Sequence, residues 1–170
     1  MSEVPATPPP PAGLIRRLAA LAYESLLVGA ILFALGFVLL PLTTAPASAR
    51  ELTLLTPLAS AGSFAFLFAV FGAYCTWLWT GGRQTLPMRT WHLALRTANG
   101  AAPGAPQALL RYLAWWVGPV LGIIVWLVLK PYGYERWAIV ALALNYAWAL
   151  FDSDRRFLHD RIAGTRIVAA

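Results

Sequence analysis

The sequence predicts an all-α integral membrane bundle of four transmembrane helices, the fourth short, with an interfacial segment between the second and third. Three observations predict it. Four apolar runs recur along the chain, three of them near the roughly 20 residues that cross a bilayer. Hydrophobic residues make up 59% of the 170 and charged residues only 12%, about half the charged fraction usual in a soluble domain. The 13 lysines and arginines are spread unevenly between the runs, as in proteins whose cytoplasmic loops collect positive charge.

Residues 1–13 are rich in Pro and Ala (Val4-Pro-Ala-Thr-Pro-Pro-Pro-Pro-Ala12). They cannot build a core and read as a disordered tail. The membrane domain covers residues 14–168. Its first span, residues 18–40, follows Arg16-Arg17. The basic pair, the apolar run and Ala47-Ser48-Ala49 mimic a cleaved signal peptide. The run is too long for that, since a signal core has about 7–15 residues, and it contains Glu24. The second span, residues 54–79, stops at Gly81-Gly82. Ala65, Ala69 and Ala73 form a small-residue stripe in it, suited to close helix packing. Cys75, the single cysteine, reads as a small packing residue.

The loop that follows holds Thr90-Trp91-His92-Leu93-Ala94-Leu95-Arg96-Thr97 and a turn signal at Asn99-Gly100. Its alternation is mixed. A short strand is one reading. The favoured one is a membrane-surface segment with Trp91, Leu93 and Leu95 on one face. The third span, residues 108–129, contains Gly118-Pro119 and Gly122, which favour a kink. The fourth run, residues 137–151, is about fifteen residues and crosses only with local bilayer thinning or snorkelling flanks. Asn145 within it is placed to hydrogen-bond across helices. Trp77, Trp79, Trp91, Trp115, Trp116, Trp137 and Tyr134 cluster near span ends, where amphipathic rings sit at the headgroups.

Assigning the loops to alternate sides puts ten basic residues on one side and three on the other. The positive-inside rule then places both termini and the middle loop in the cytoplasm. A three-span arrangement reverses that bias. The net charge of +6 would suggest nucleic acid in a soluble protein. Here the cytoplasmic loops account for it, and no nucleic-acid partner is expected. The lipid bilayer is the expected partner, with a second copy or another membrane protein beside it, because a chain this short has few helices to enclose a pathway.

A carboxylate in a membrane helix is costly, so it is paired, protonated or facing a wet cavity. Glu24 is the first candidate site for that reason. Arg17 lies two turns before it on nearly the same face, about 10 Å along the axis. As a functional group Glu24 is a proton or cation site. As a structural group it pairs with an arginine from another helix and fixes packing. The second cluster is Phe151-Asp-Ser-Asp-Arg-Arg-Phe-Leu-His-Asp-Arg-Ile-Ala-Gly-Thr165. His159 titrates near neutral pH. Adjacent residues do not face each other on a helix, and no nucleophile with a supporting motif is visible, so no enzyme is expected. Asp152 and Asp160 read most simply as a solvated cap bound to Arg155, Arg161 or loop arginines. No Cys/His spacing suits a metal, and no cofactor is expected.

Three stretches together resemble the RDD family of small bacterial membrane proteins. They are Arg16-Arg17-Leu-Ala-Ala-Leu-Ala-Tyr-Glu24, Gly82-Arg-Gln-Thr-Leu-Pro-Met-Arg89 with Leu93-Ala-Leu-Arg96, and Leu150-Phe-Asp152 with Leu158-His-Asp160-Arg-Ile-Ala-Gly-Thr165. The resemblance covers residues 12–168. It implies a bacterial inner-membrane protein and transport of an unidentified ligand, and the candidate functional or structural charge sites Arg16, Arg17, Glu24, Arg89, Asp152, His159 and Asp160 all lie in its stretches. Two positions depart from the pattern. The family's aspartate in the first helix falls on Glu24, and its glycine before Met88 falls on Pro87. The function expected is a transporter of a small ion or solute, or a transport accessory. The alternative is a non-transporting scaffold or assembly factor held together by its buried charges.

Overall fold

The computed structural model describes residues 11–43 and 57–170. Its helices are α1 (Leu14–Thr43), α2 (Pro57–Trp79), α3 (Leu86–Thr90), α4 (Ala105–Trp115), α5 (Val117–Leu129), α6 (Ala138–Ala147) and α7 (Leu158–Ile162). Among the described residues, Leu14–Ala34 and Ala105–Tyr132 are long and apolar enough to cross a membrane, and Phe64–Trp79 is a shorter apolar helix. Large side chains such as Leu26, Phe33, Ile123, Val128 and Ile139 lie exposed on α1, α5 and α6. That is the surface a bilayer covers and water does not.

The third apolar run is one rod with a break. Trp116 separates α4 from α5, and Pro119 explains why. Proline has no N–H to give the carbonyl four residues back, which is that of Trp115. Asn145 Nδ2 donates to that carbonyl instead, at 3.1 Å. The expected kink and the expected cross-helix bond are thus one device. The fourth run is an α-helix of 10 residues with a three-residue 3₁₀ turn at each end, Glu135–Trp137 and Trp148–Leu150. The tighter turns stretch the 16-residue rod to about 27 Å. α5 and α6 form an antiparallel hairpin. A Cβ on Gly118 would lie 2.7 Å from the Leu142 carbonyl oxygen, so only glycine permits this approach.

The fold is not all-α. The middle-loop segment is a strand, β1 (Leu93–Thr97), and it pairs antiparallel with β2 (Thr165–Ala169). The register matches Leu93 with Ala169, Leu95 with Ile167 and Thr97 with Thr165. The membrane-surface reading failed because Leu93, Ala94, Leu95 and Thr97 are all buried. Both faces are covered, so the period-two pattern of a half-exposed strand is missing. The near end of the presumed tail is ordered as well. Pro11 bridges to Val168, and the Ala12 N–H donates to the Ile167 carbonyl at 3.0 Å. Residues 1–10 lie outside the described residues, as does the start of the second span, 54–56.

The core sits where the sheet meets the ends of α1, α2 and α4. Ala12, Ala20, Cys75, Trp79, Met88, Leu93, Leu95, Ala108, Tyr112 and Ile167 form it. Cys75 packs as expected. The alanine stripe does not: Ala65, Ala69 and Ala73 are exposed. α2 meets α4 through Phe68, Gly72, Cys75 and Trp79, where Tyr112 packs against Phe68 with ring centroids 5.0 Å apart and fills the space beside Gly72.

Candidate functional site: a buried ionic cluster at the sheet end of the bundle

α7 brings His159 and Asp160 inward beneath α4, and Arg111 on α4 meets them. Asp160 is fully buried and Arg111 is 4% exposed. Arg111 Nε lies 3.0 Å from Asp160 Oδ1, a charge contact in which the N–H is not aimed at the carboxylate. Thr165 Oγ1 donates to the same oxygen at 3.2 Å. Arg111 also stacks over the Trp79 ring, 4.5 Å from its centroid. Its Nη2 is 3.3 Å from His159 Nε2.

The histidine is fixed from its other side. Asn145 Oδ1 accepts from the His159 backbone N–H at 3.1 Å and sits 3.0 Å from ring Nδ1. A proton on Nδ1 and a lone pair on Nε2 satisfy both ring contacts. Burial pushes the imidazole down to about 4, helped by Arg111 and Arg17 and opposed by Asp160. His159 is therefore neutral at neutral pH. Asn145 spends its oxygen on His159 and its nitrogen on the Trp115 carbonyl, which ties α4, α6 and α7 at one point.

Arg17 and Glu24 reach this cluster from α1. The Arg17 guanidinium lies over the Phe157 ring, 5.0 Å from its centroid, and Nη2 donates to the Arg155 carbonyl. Glu24 faces Arg111 and the Thr85 hydroxyl. Thr85 is the N-cap of α3 and accepts from the Met88 N–H at 3.4 Å, so its own proton is free to be donated. A cavity of about 40 Å³ lies between these groups, lined by Arg17, Glu24, Trp79, Arg111 and His159 among others. Arg17 Nε, Trp79 Nε1, Arg111 Nη1 and Glu24 Oε1 are buried there without a hydrogen-bond partner among the described residues. Such atoms are rare in folded proteins and each calls for an explanation.

The other expected site residues lie elsewhere. Arg16 donates to the Trp91 carbonyl at 2.5 Å and caps the end of α3. Arg89 is exposed in the last turn of α3, away from the cavity. Asp152 organises the turn before α7. It accepts from the backbone N–H groups of Asp154 and Arg156, and from the Arg156 and Arg161 side chains. Burial opposes its charge, but the Arg156 and Arg161 donors outweigh that and hold the carboxyl at about 2. Both aspartates pair with arginines, as the cap reading expects, Asp152 with Arg161 and Asp160 with Arg111, but neither is solvated: both carboxylates are buried. Pro87 does no harm to its loop. It occupies the first turn of α3, where its missing N–H has no helical acceptor to lose.

Sequence reasoning missed Arg111, Trp79 and Thr85. A signal existed for Arg111, which lies inside the third apolar run just as Glu24 lies inside the first. The side-by-side charge count treats it as a loop residue, which hides that signal. Trp79 was grouped with interfacial anchors, but it is 5% exposed beneath Arg111.

A search of curated proteins and one of solved structures each found no match. The RDD family model matches residues 11–164. That stretch takes in α1 and the Arg111–His159–Asp160 cluster and ends just before β2. The chain belongs to the RDD family.

Proposed function

We propose that this chain is a multi-pass inner-membrane protein whose buried cluster binds a small ion in the course of transport, alone or as an accessory subunit. One observation carries the reading. The residues of α1, α2 and α4 that line one cavity carry four buried polar atoms, and none of the four has a hydrogen-bond partner among the described residues. A cluster that served only as a lock would satisfy its own buried polar atoms, because each one left open costs about 1–3 kcal/mol. The volume of about 40 Å³ suits a monatomic ion or a few waters, not a solute. Four crossings with both termini cytoplasmic follow from the basic-residue count. The stretched fourth rod of about 27 Å, against a bilayer core of about 30 Å, supports that count. A homodimer or a membrane partner would complete the enclosure.

The scaffold reading keeps one specific observation: Asn145 and the Arg111–Asp160 pair join α4, α6 and α7. Glu24→Gln separates the two. In proteoliposomes, the ion reading expects a folded variant without ion or proton flux. A variant that melts earlier in detergent, beside a wild type that moves no ion, would establish the scaffold.

A further inference from the structure

The cavity has an uneven balance of donors and acceptors, and this reveals the sign of its ligand. The open atoms on the donor side are Arg17 Nε, Trp79 Nε1 and Arg111 Nη1. All three belong to side chains at least nine-tenths buried, at 3%, 5% and 4% exposure. The open acceptor is Glu24 Oε1. Asp160 does not line the cavity: its Oδ1 is engaged by Arg111 and Thr165, and its Oδ2, though without a hydrogen-bond partner among the described residues, belongs to the cluster behind the lining. His159 is neutral and its Nε2 already faces Arg111.

Charge gives the same answer. Two guanidiniums face two carboxylates, so the cluster is neutral while Glu24 is ionised. Tyr74 and Cys75 on α2, Thr85 before α3 and Tyr146 on α6 also face Glu24, and all are uncharged at neutral pH. A cation entering would meet two guanidiniums and one open oxygen. An anion entering would meet three lining side chains that each carry an unpartnered N–H, and a proton arriving on Glu24 would convert the remaining acceptor into a donor and leave the cluster one positive charge in excess.

We infer that the cavity is a binding site for a small inorganic anion of halide size, held by the N–H groups of Arg17, Trp79 and Arg111 and taken up together with a proton on Glu24. The inference rests on the small-ion reading above and assigns the ion its charge. The anion brings no covalent change. It loses its hydration shell, one proton passes from water to the Glu24 carboxylate, and the net charge of the cluster stays at zero.

Chloride is the probe. The full chain, purified in detergent, is titrated with sodium chloride against sodium gluconate from pH 5 to pH 8. Binding is read by ³⁵Cl line broadening and by the thermal midpoint. The expected result is saturable broadening, displaced by bromide. Affinity falls about tenfold per pH unit above the titration of Glu24, the slope of one proton per anion. Glu24→Gln should bind chloride equally at both ends of the range, because its amide donates at every pH. Trp79→Phe keeps the ring beneath Arg111 and loses one N–H, so it should fold and bind at least about tenfold more weakly. No chloride-dependent broadening or midpoint shift at any pH would overturn the inference and leave the cavity holding water only. A second titration, sodium gluconate against choline gluconate, varies the cation alone: a midpoint that follows sodium there and ignores chloride in the first would overturn the anion and keep the small-ion reading. If neither ion acts, both readings fall.

Discussion

The Arg111–Asp160 pair gives the most direct test of what holds the sheet end together. Arg111→Met keeps the aliphatic stem over Trp79 and removes the charge. Asp160, fully buried, then keeps one neutral donor, Thr165 Oγ1 at 3.2 Å, and the charge of Arg17 across the cluster, too little to replace Arg111. Breaking a buried ion pair from one side costs about 3–5 kcal/mol, because the surviving charge stays buried and uncompensated. Asp160→Asn should cost somewhat less, about 3 kcal/mol, since Glu24 also faces Arg111. The double variant leaves neither charge stranded. It should recover at least about 2 kcal/mol relative to the sum of the singles. Reversible unfolding in mixed micelles, followed by tryptophan fluorescence in sodium gluconate, reads all three. Additive costs would refute the argument, because they would mean that the two charges are each solvated independently.

Three further outcomes follow. Asn145→Ala should cost about 2–5 kcal/mol, because the Trp115 carbonyl and the His159 N–H groups lose their partner; Pro119→Ala in the same chain should recover part of it by restoring an N–H for Trp115, as hydrogen exchange at residue 119 can show. Gly118→Ala should cost about 1–3 kcal/mol through the 2.7 Å approach to the Leu142 carbonyl, whereas Gly29→Ala, with nothing within 4 Å of the added Cβ, should be neutral or gain up to about 1 kcal/mol in unfolding assays. The third concerns pH. The folded His159 titrates at about 4, below its ordinary 6.5, so the unfolded chain binds the proton first. Stability should therefore fall as pH drops through that window, by at most about 1.4 kcal/mol per unit, and level off below it. His159→Gln should flatten that part of the unfolding curve.

The membrane class was legible because apolar run length is a direct physical requirement of the bilayer. Glu24, Arg17, His159 and Asp160 were legible as costly or titratable groups, and they do converge. The kink at Gly118-Pro119 and the role of Asn145 were each visible, though not their connection, because a side chain that replaces a missing helix bond shows only in three dimensions. β1 was hidden for two reasons. It is covered on both faces, which removes the alternation that marks a strand. Its partner β2 also lies far along the chain, beyond four helices.

The sheet also constrains the order of assembly. β1 is made before α4, α5, α6 and α7, and its partner β2 only after them. Until then β1 presents unpaired backbone groups of the kind that recruit other strands. Pro11 and Ala12, made first of all the described residues, wait for the same strand. Closing such distant pairs is slow. Membrane insertion must therefore finish with two early segments still open. A chain cut short before Thr165 would keep Arg111 and Asp160 but lose the threonine that braces the aspartate and the strand that joins both early segments. Truncated products of this protein should be recognised and degraded as unfinished, even with all their apolar helices in place.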